Sequence, residues 1–257
     1  MWITTFLANE AHRYRSFSHE INHYNLFKRF VRAFMGLGSF ILLHLVAIYG
    51  MLGEAMTQNT KDPHSASLVR SQLRKSSLSR RDALSAQDRA LFSQRACSHF
   101  MHVLEQRGED FSRMILAGYW PIKSEIDPRP LFDAITFRGG RLALPAVLDS
   151  TTMVFRTFSQ STVLEPMRFG TLGPNTGNAI VVPSLIIVPL SAFDNQCHRL
   201  GYGGGYYDRA VKALEKQGHQ INLWGLGFSC QEVSSIPHAE HDLVLQGIFT
   251  EKGFLKR

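Results

Sequence analysis

From residue 90 to residue 104 apolar side chains return at helical spacing, at Ala90, Cys97, Met101 and Leu104, as on the buried stripe of a helix. Ser85 stands where a cap belongs, with Asp88 three positions on as a variant capping box, and Gly108 follows the last turn. The preceding stretch, 67–83, contains neither glycine nor proline and predicts a second helix. Downstream the period changes. Runs of β type occur at 113–120, 141–147, 153–159, 184–190 and 221–228, and helical segments at 127–139 and 206–218. The run SLIIVPL (184–190) is continuously apolar through Val188, as in a strand covered on both faces. Strands alternating with helices predict an α/β domain over 67–257, a three-layer α/β/α arrangement around a mostly parallel sheet.

Residues 1–55 follow a different pattern. The segment 34–52 runs 19 positions without a charge, a length that can span a bilayer, and Lys28, Arg29 and Arg32 flank it. As an anchor it would leave residues 1–33 on the cytoplasmic side. Met51 and Met56 both precede the change in character, so a start codon placed too far upstream is a second reading. A buried or partner-bound helix is the third. On each reading, residues 1–55 are an extension, 56–66 a linker and 67–257 the working domain.

Charge and cysteines narrow the function. The chain has 28 Lys+Arg against 21 Asp+Glu in 257 residues, a net charge of +7 that suits an anionic partner. Only 19% of residues are charged and no long Lys/Arg run exists, so nucleic-acid binding is not expected. Cys97, Cys197 and Cys230 form no CxxC pair, which argues against a cysteine zinc site and for free thiols in a reducing compartment.

The chemistry concentrates in HRLGYGGGYYDRA (198–210), which follows the apolar run 184–190 after a short polar loop and enters a helix. A glycine-rich loop at a helix N-terminus beyond a strand's carboxyl end presents backbone N–H groups to phosphate. Arg199 adds a cation, Asp208 a carboxylate for the divalent metal a polyphosphate brings, and Tyr202, Tyr206 and Tyr207 rings for a planar ligand. No GK[ST] follows, and no GxGxxG directly follows the strand. The plainer alternative is a glycine-rich turn with packed tyrosines.

The longer segment VPLSAFDNQCHRLGYGGGYYDRA resembles the signature of the 5-formyltetrahydrofolate cyclo-ligase (5,10-methenyltetrahydrofolate synthetase) family. RSQLRKSSLSRRDALS, GYWPIKSEIDPRPLF, LALPAV, RFGTLGP and PHAEHDLVLQGIFTE resemble further family marks in order, covering about 68–251 and none of 1–55. The resemblance implies Mg²⁺- and ATP-dependent conversion of 5-formyltetrahydrofolate to 5,10-methenyltetrahydrofolate, with ADP and phosphate released, by a cytoplasmic monomer whose partners are folate and ATP. It places Arg199 and Tyr206 at the reaction. It assigns ATP to Arg70, Arg74 and the loop Arg199, Leu200, Gly201, Tyr202, Gly203, Gly204, Gly205, Tyr206 and Tyr207. It assigns folate to Trp120, Glu125 and the loop from Tyr202 to Tyr206, and metal to Asp208 and Asp242. Three positions depart from the family pattern: Arg70 stands for lysine, Gly204 for a common lysine and Gly173 for a glutamate. A folate-binding member with weak turnover is therefore one alternative, and a membrane-anchored protein that uses residues 1–55 is another.

Overall fold

The computed structural model describes residues 63–239 and 242–257. The expected extension, with its apolar run 34–52, and the first part of the linker lie outside the described residues. Among the described residues no helix is long and apolar enough to cross a membrane.

Helix α1, Pro63–Asp82, begins earlier than the pattern predicts, so 63–66, expected as linker, are helical. Proline suits a first helical position because the N–H it lacks would have no partner there. Helix α2, Ala86–Gln106, starts at Ser85, whose hydroxyl accepts from the Asp88 amide. The hydroxyl also donates to the Asp88 carboxylate at 2.7 Å, and Gly108 (φ +66°) turns the chain out at the far end.

The expected strand 113–120 narrows to β1, Ile115–Ala117, because Phe111–Arg113 form a 3₁₀ turn and 118–120 leave the ladder ahead of Pro121. A Cβ at Gly118 would sit 2.3 Å from the Phe132 ring, so glycine is what lets the chain leave β1 against the next helix. That helix is α3, Arg129–Phe137. Strands β2 (Arg141–Val147) and β3 (Met153–Phe158) form an antiparallel pair, followed by the small hairpin β4 (Leu164–Pro166) and β5 (Leu172–Pro174). Then come β6 (Leu185–Pro189), the two-residue pair β7 (Ala192–Phe193) and β8 (Arg199–Leu200), helix α4 (Tyr206–Lys216), and β9 (Asn222–Leu226). Strands β10 (Gly247–Thr250) and β11 (Gly253–Lys256) complete the chain.

The main sheet has the order β11-β10-β9-β6-β1-β2-β3. Its five inner strands are parallel neighbours, and the two edge strands run antiparallel. Strand parity builds the three layers. Leu116, Leu185 and Ile187 face one side, where they pack with Phe100 and Leu104 of α2 and Leu131 and Ile135 of α3. Ala117, Ile186 and Val188 face the other, with Ala210 and Val211 of α4. The β1 register ends at Ala117 opposite Ala143 and Ile186, while β2 continues to Val147 and β6 to Pro189.

Candidate active site

Beyond the end of β1 lies a cavity of about 680 Å³, a size typical of small-molecule sites. Trp120, Glu125, Arg70, Arg74, Arg199, Asp208, Asp242 and the loop from Gly201 to Tyr207 all line it. The structure thus brings together every predicted site residue except Leu200. The Leu200 side chain is fully buried with Ala192 and Ile236. A strand residue whose side chain enters an apolar cluster cannot also face the cavity.

One wall is cationic and built by the β6–α4 connection. Asp194 organises it: its carboxylate accepts from the Gln196, His198 and Ile236 amides and from the His198 ring. This fixes Arg199 on β8, whose Nη2 donates to Asp208 at 3.0 Å. Arg199 is only 9% exposed, yet its Nε has no partner among the described residues. A buried guanidinium nitrogen without a partner is unsatisfied, and the side chain must turn for it to reach an acceptor in the cavity. The Tyr207 hydroxyl is likewise buried without a partner, and burial raises its pKa, so it stays a neutral donor. Gly203 (φ +97°) and Gly205 (φ +65°) take left-handed conformations that only glycine adopts cheaply, and Gly205 delivers the chain into α4. The first turn of α4, Tyr206 to Asp208, therefore has its N–H groups at the cavity.

Helix α1 adds two arginines. Arg74 Nε donates to the Gly201 carbonyl at 2.7 Å, and Arg70 grips Asp242 through both terminal nitrogens at 2.8 and 3.4 Å. Burial and then the neighbouring charge of Arg70 lower the Arg74 pKa, a crowding that an arriving anion relieves. Asp208 also accepts from the Leu243 amide at 3.2 Å, which sets it against the segment carrying Asp242. Both carboxylates are thus paired with arginines, and among the described residues no group of three or more His, Cys, Asp or Glu side chains gathers to hold an ion. The donor set suits a hard cation that keeps waters and arrives with phosphate, rather than one held in an all-protein cage.

The opposite wall is aromatic. Tyr119 is buried, its hydroxyl donating to the Ile126 carbonyl. Trp120 packs edge-on to Phe158, with Arg129 5.3 Å from its ring. Glu125 accepts from the Ile122 amide across a tight turn in which Lys123 has φ +52°. Burial raises the Glu125 pKa, and Arg81 and Lys123 oppose the rise. Tyr206 presents its ring to the cavity beside Phe169, while its hydroxyl donates to the Asp149 carbonyl at 3.1 Å. Arg209 reaches the Gly204 carbonyl and lies over the Tyr206 ring.

Sequence reasoning did not single out Phe169, Arg168, Lys212 or Pro145, which also line the cavity. Lys212 carried a signal, since it lies one helical turn beyond Asp208. Arg168 and Phe169 lay within RFGTLGP, a segment read for its resemblance and not for its side chains. At Gly173 a Cβ would sit 2.4 Å from the Pro145 carbonyl and 2.7 Å from the Met167 sulfur. The Met167 sulfur accepts from the Val147 amide, so thioether and backbone fill the place a longer side chain would need.

Comparison with known proteins follows the same lines. The model of the 5-formyltetrahydrofolate cyclo-ligase family matches residues 66–251. A 5-formyltetrahydrofolate cyclo-ligase of Haemophilus influenzae is 27% identical over 158 residues, 59% of this chain and 81% of the relative. A probable cyclo-ligase of Schizosaccharomyces pombe is 30% identical over 129 residues, 46% of this chain and 62% of the relative. The Aquifex aeolicus 5,10-methenyltetrahydrofolate synthetase superimposes with a TM-score of 0.59 at 29% identity, covering 73% of this chain and 92% of that one. The Mycoplasma pneumoniae synthetase shares the fold, with a TM-score of 0.57 at 22% identity over 71% of this chain and 98% of that one. With a phosphate-type loop facing an aromatic wall across one cavity, and a family match spanning nearly the whole described domain, the chain belongs to the 5-formyltetrahydrofolate cyclo-ligase family.

Proposed function

We propose that this chain converts 5-formyltetrahydrofolate and ATP to 5,10-methenyltetrahydrofolate, ADP and phosphate. The observation that carries the reading is one cavity with two unlike walls. A cationic part, with Arg199, Arg74, Arg70 and the α4 N-terminus, lines the same cavity as Trp120 and Glu125. A polyphosphate suits the first and a pterin ring the second. The formyl oxygen attacks the γ-phosphorus and ADP leaves. N10 then attacks the activated formyl carbon, closing the five-membered ring, its proton passes to solvent, and phosphate departs with the former formyl oxygen.

The protein's part in this is placement and charge. Arg199, Arg74 and Arg70 neutralise phosphate oxygens, with the loop amides from Gly203 to Tyr206. Tyr207 donates its otherwise unpartnered hydroxyl. Glu125 accepts from the N–H edge of the pterin, Trp120 covers the ring, and Tyr206 closes the space over the formyl group. Asp208 and Asp242 are the carboxylates that would hold Mg²⁺ borne by the nucleotide. When bound, the ion supplies neutralisation of the phosphate charge. The three unpaired cysteines suit the cytoplasm, and burial pushes the Cys97 thiol up to about 12, which keeps it inert. The active unit is proposed to be the monomer, since the residues assigned to folate and to ATP belong to the same chain.

The deciding experiment mixes the full chain with 5-formyltetrahydrofolate, Mg²⁺ and ATP and follows methenyltetrahydrofolate by absorbance. ATP-dependent product is expected. Folate binding with no ATP-dependent product would replace this reading with that of a folate-binding member, the outcome to which Gly173 and Gly204 would point.

A further inference from the structure

The hairpin β4–β5 touches both kinds of lining. At its base Leu164 packs against the cluster that holds Tyr119 and Phe132, and the Met167 sulfur accepts from the Val147 amide of β2. At its tip Phe169 meets the glycine loop. Its ring stands edge-on to Tyr206 with 5.9 Å between centres, and its edge lies 3.7 Å from where a Cβ at Gly204 would be. Phe169 and its neighbour Arg168 both line the cavity.

The tip is held in an unusual shape. Phe169 has φ +63°, a left-handed conformation that an aromatic residue seldom takes, and Gly170 follows at φ +72°. Bonds across the turn fix it. The Met167 amide donates to the Thr171 carbonyl at 2.8 Å, and Thr171 donates to the Arg168 carbonyl from its amide at 3.3 Å and its hydroxyl at 2.9 Å. Phe169 is nonetheless 67% exposed. Core packing does not explain a strained turn that leaves its ring in the open, and backbone of this kind clusters at ligand clamps.

Arg168 is the cation beside that ring. The other arginines lining the cavity are engaged: Arg70 by Asp242, Arg199 by Asp208, Arg74 by the Gly201 carbonyl, and Arg209 by the Thr151 and Gly204 carbonyls. The side chains of Arg168, Lys123 and Lys212 also line it, and they hold no hydrogen bond or ion pair among the described residues. Position separates these three. Lys212 lies one helical turn beyond Asp208, Lys123 sits in the turn that carries Glu125, and Arg168 adjoins the ring packed on Tyr206.

We propose that Arg168 is a specificity-determining residue that binds a carboxylate of the folate's glutamate tail, with Phe169 covering the benzoyl ring. The inference rests on the reading of the site made above, in which Tyr206 closes over the formyl group. The order of groups along a folate then selects Arg168 from the three cations. N10, which attacks the formyl carbon, is the atom that bears the benzoyl ring, and that ring bears the tail with its two carboxylates. Beside a formyl group at Tyr206 the next ring is the benzoyl, and the aromatic neighbour of Tyr206 is Phe169. The charge that follows the ring meets the cation that adjoins Phe169. A planar guanidinium suits a carboxylate through two parallel N–H bonds.

The test is equilibrium binding to the full chain, without ATP, of 5-formyltetrahydrofolate and of its tail diamide, in which both carboxylates are carboxamides. The natural protein should bind the acid about fivefold more tightly, an advantage that shrinks as salt rises. Arg168→Met should weaken the acid about fivefold and leave the diamide unmoved. Arg168→Lys, which keeps the charge but not the fork, should restore part of the loss, and Arg168→Glu should invert the preference. Phe169→Leu should weaken both ligands by a similar factor. If the natural protein binds neither ligand, the folate reading fails and this inference with it. If it binds both equally, or if Arg168→Met weakens both alike, the folate reading stands and the tail contact is refuted. Unchanged binding of both ligands by Phe169→Leu would overturn the part given to the ring.

Discussion

Two connections leave neighbouring parallel strands on the same edge of the sheet, and they solve opposite problems. The chain from β1 to α3 carries Tyr119, Trp120 and Glu125 and is held by burial: rings pack, and a buried hydroxyl meets the Ile126 carbonyl. The chain from β6 to α4 carries four glycines and Arg199 and is held by polar geometry, with one carboxylate, Asp194, receiving three amides and a histidine ring. On the function proposed above, the first would recognise by shape and hydrophobic cover, so that its side chains matter most, and the second by direction and charge, so that its backbone and one buried guanidinium matter most. A substrate pair made of an aromatic heterocycle and a polyphosphate needs both kinds of wall.

The sharpest way to break this division is Arg199→Met. Turnover should fall by about a thousandfold, while 5-formyltetrahydrofolate binding measured without ATP persists. Equal loss of both would show that the two walls are not separable. Asp208→Asn is next, with kcat expected to drop between about tenfold and about a thousandfold and to recover in part at raised Mg²⁺. Near-natural turnover would remove Asp208 from the metal-binding role. On the aromatic side, Trp120→Ala should raise the folate KM about tenfold, roughly 1.4 kcal/mol, with the KM for ATP unmoved. The smallest effect is structural. Gly173→Glu forces a side chain against the Pro145 carbonyl and Met167, and should cost about 1–3 kcal/mol of stability in thermal unfolding. An undiminished melting temperature would show that the β4–β5 hairpin can move aside.

The parts legible in the sequence were those whose cause is local. The helix from Ala86 is announced by Ser85 and ended by Gly108, and β6 by its apolar run. The glycine loop declares itself by residue type. What stayed hidden depends on distant partners. Strand β1 is shorter than its apolar run because Gly118 must pass under Phe132, a contact no local pattern encodes. Leu200 sits inside the motif yet belongs to an apolar cluster. Arg81 lies in a polar helix and looks solvent-facing, but tertiary packing buries it against Ser124 and Tyr202. The hairpins β4–β5 and β7–β8 are too short to leave a period.

The early end of β1 has one more consequence. Residues 144–147 of β2 and 187–189 of β6 run on with no β1 partner between them. At about 3.3 Å per residue β2 and β6 thus outrun β1 by about 10–13 Å. Pro145 and Val147 of β2 and Pro189 of β6 line the cavity there, with Tyr119 and Trp120 of the chain that has left β1. Lengthening β1 along its neighbours would put backbone where the cavity now opens. The place for a ligand is thus set by where one strand stops, and the lining side chains decide what fits it.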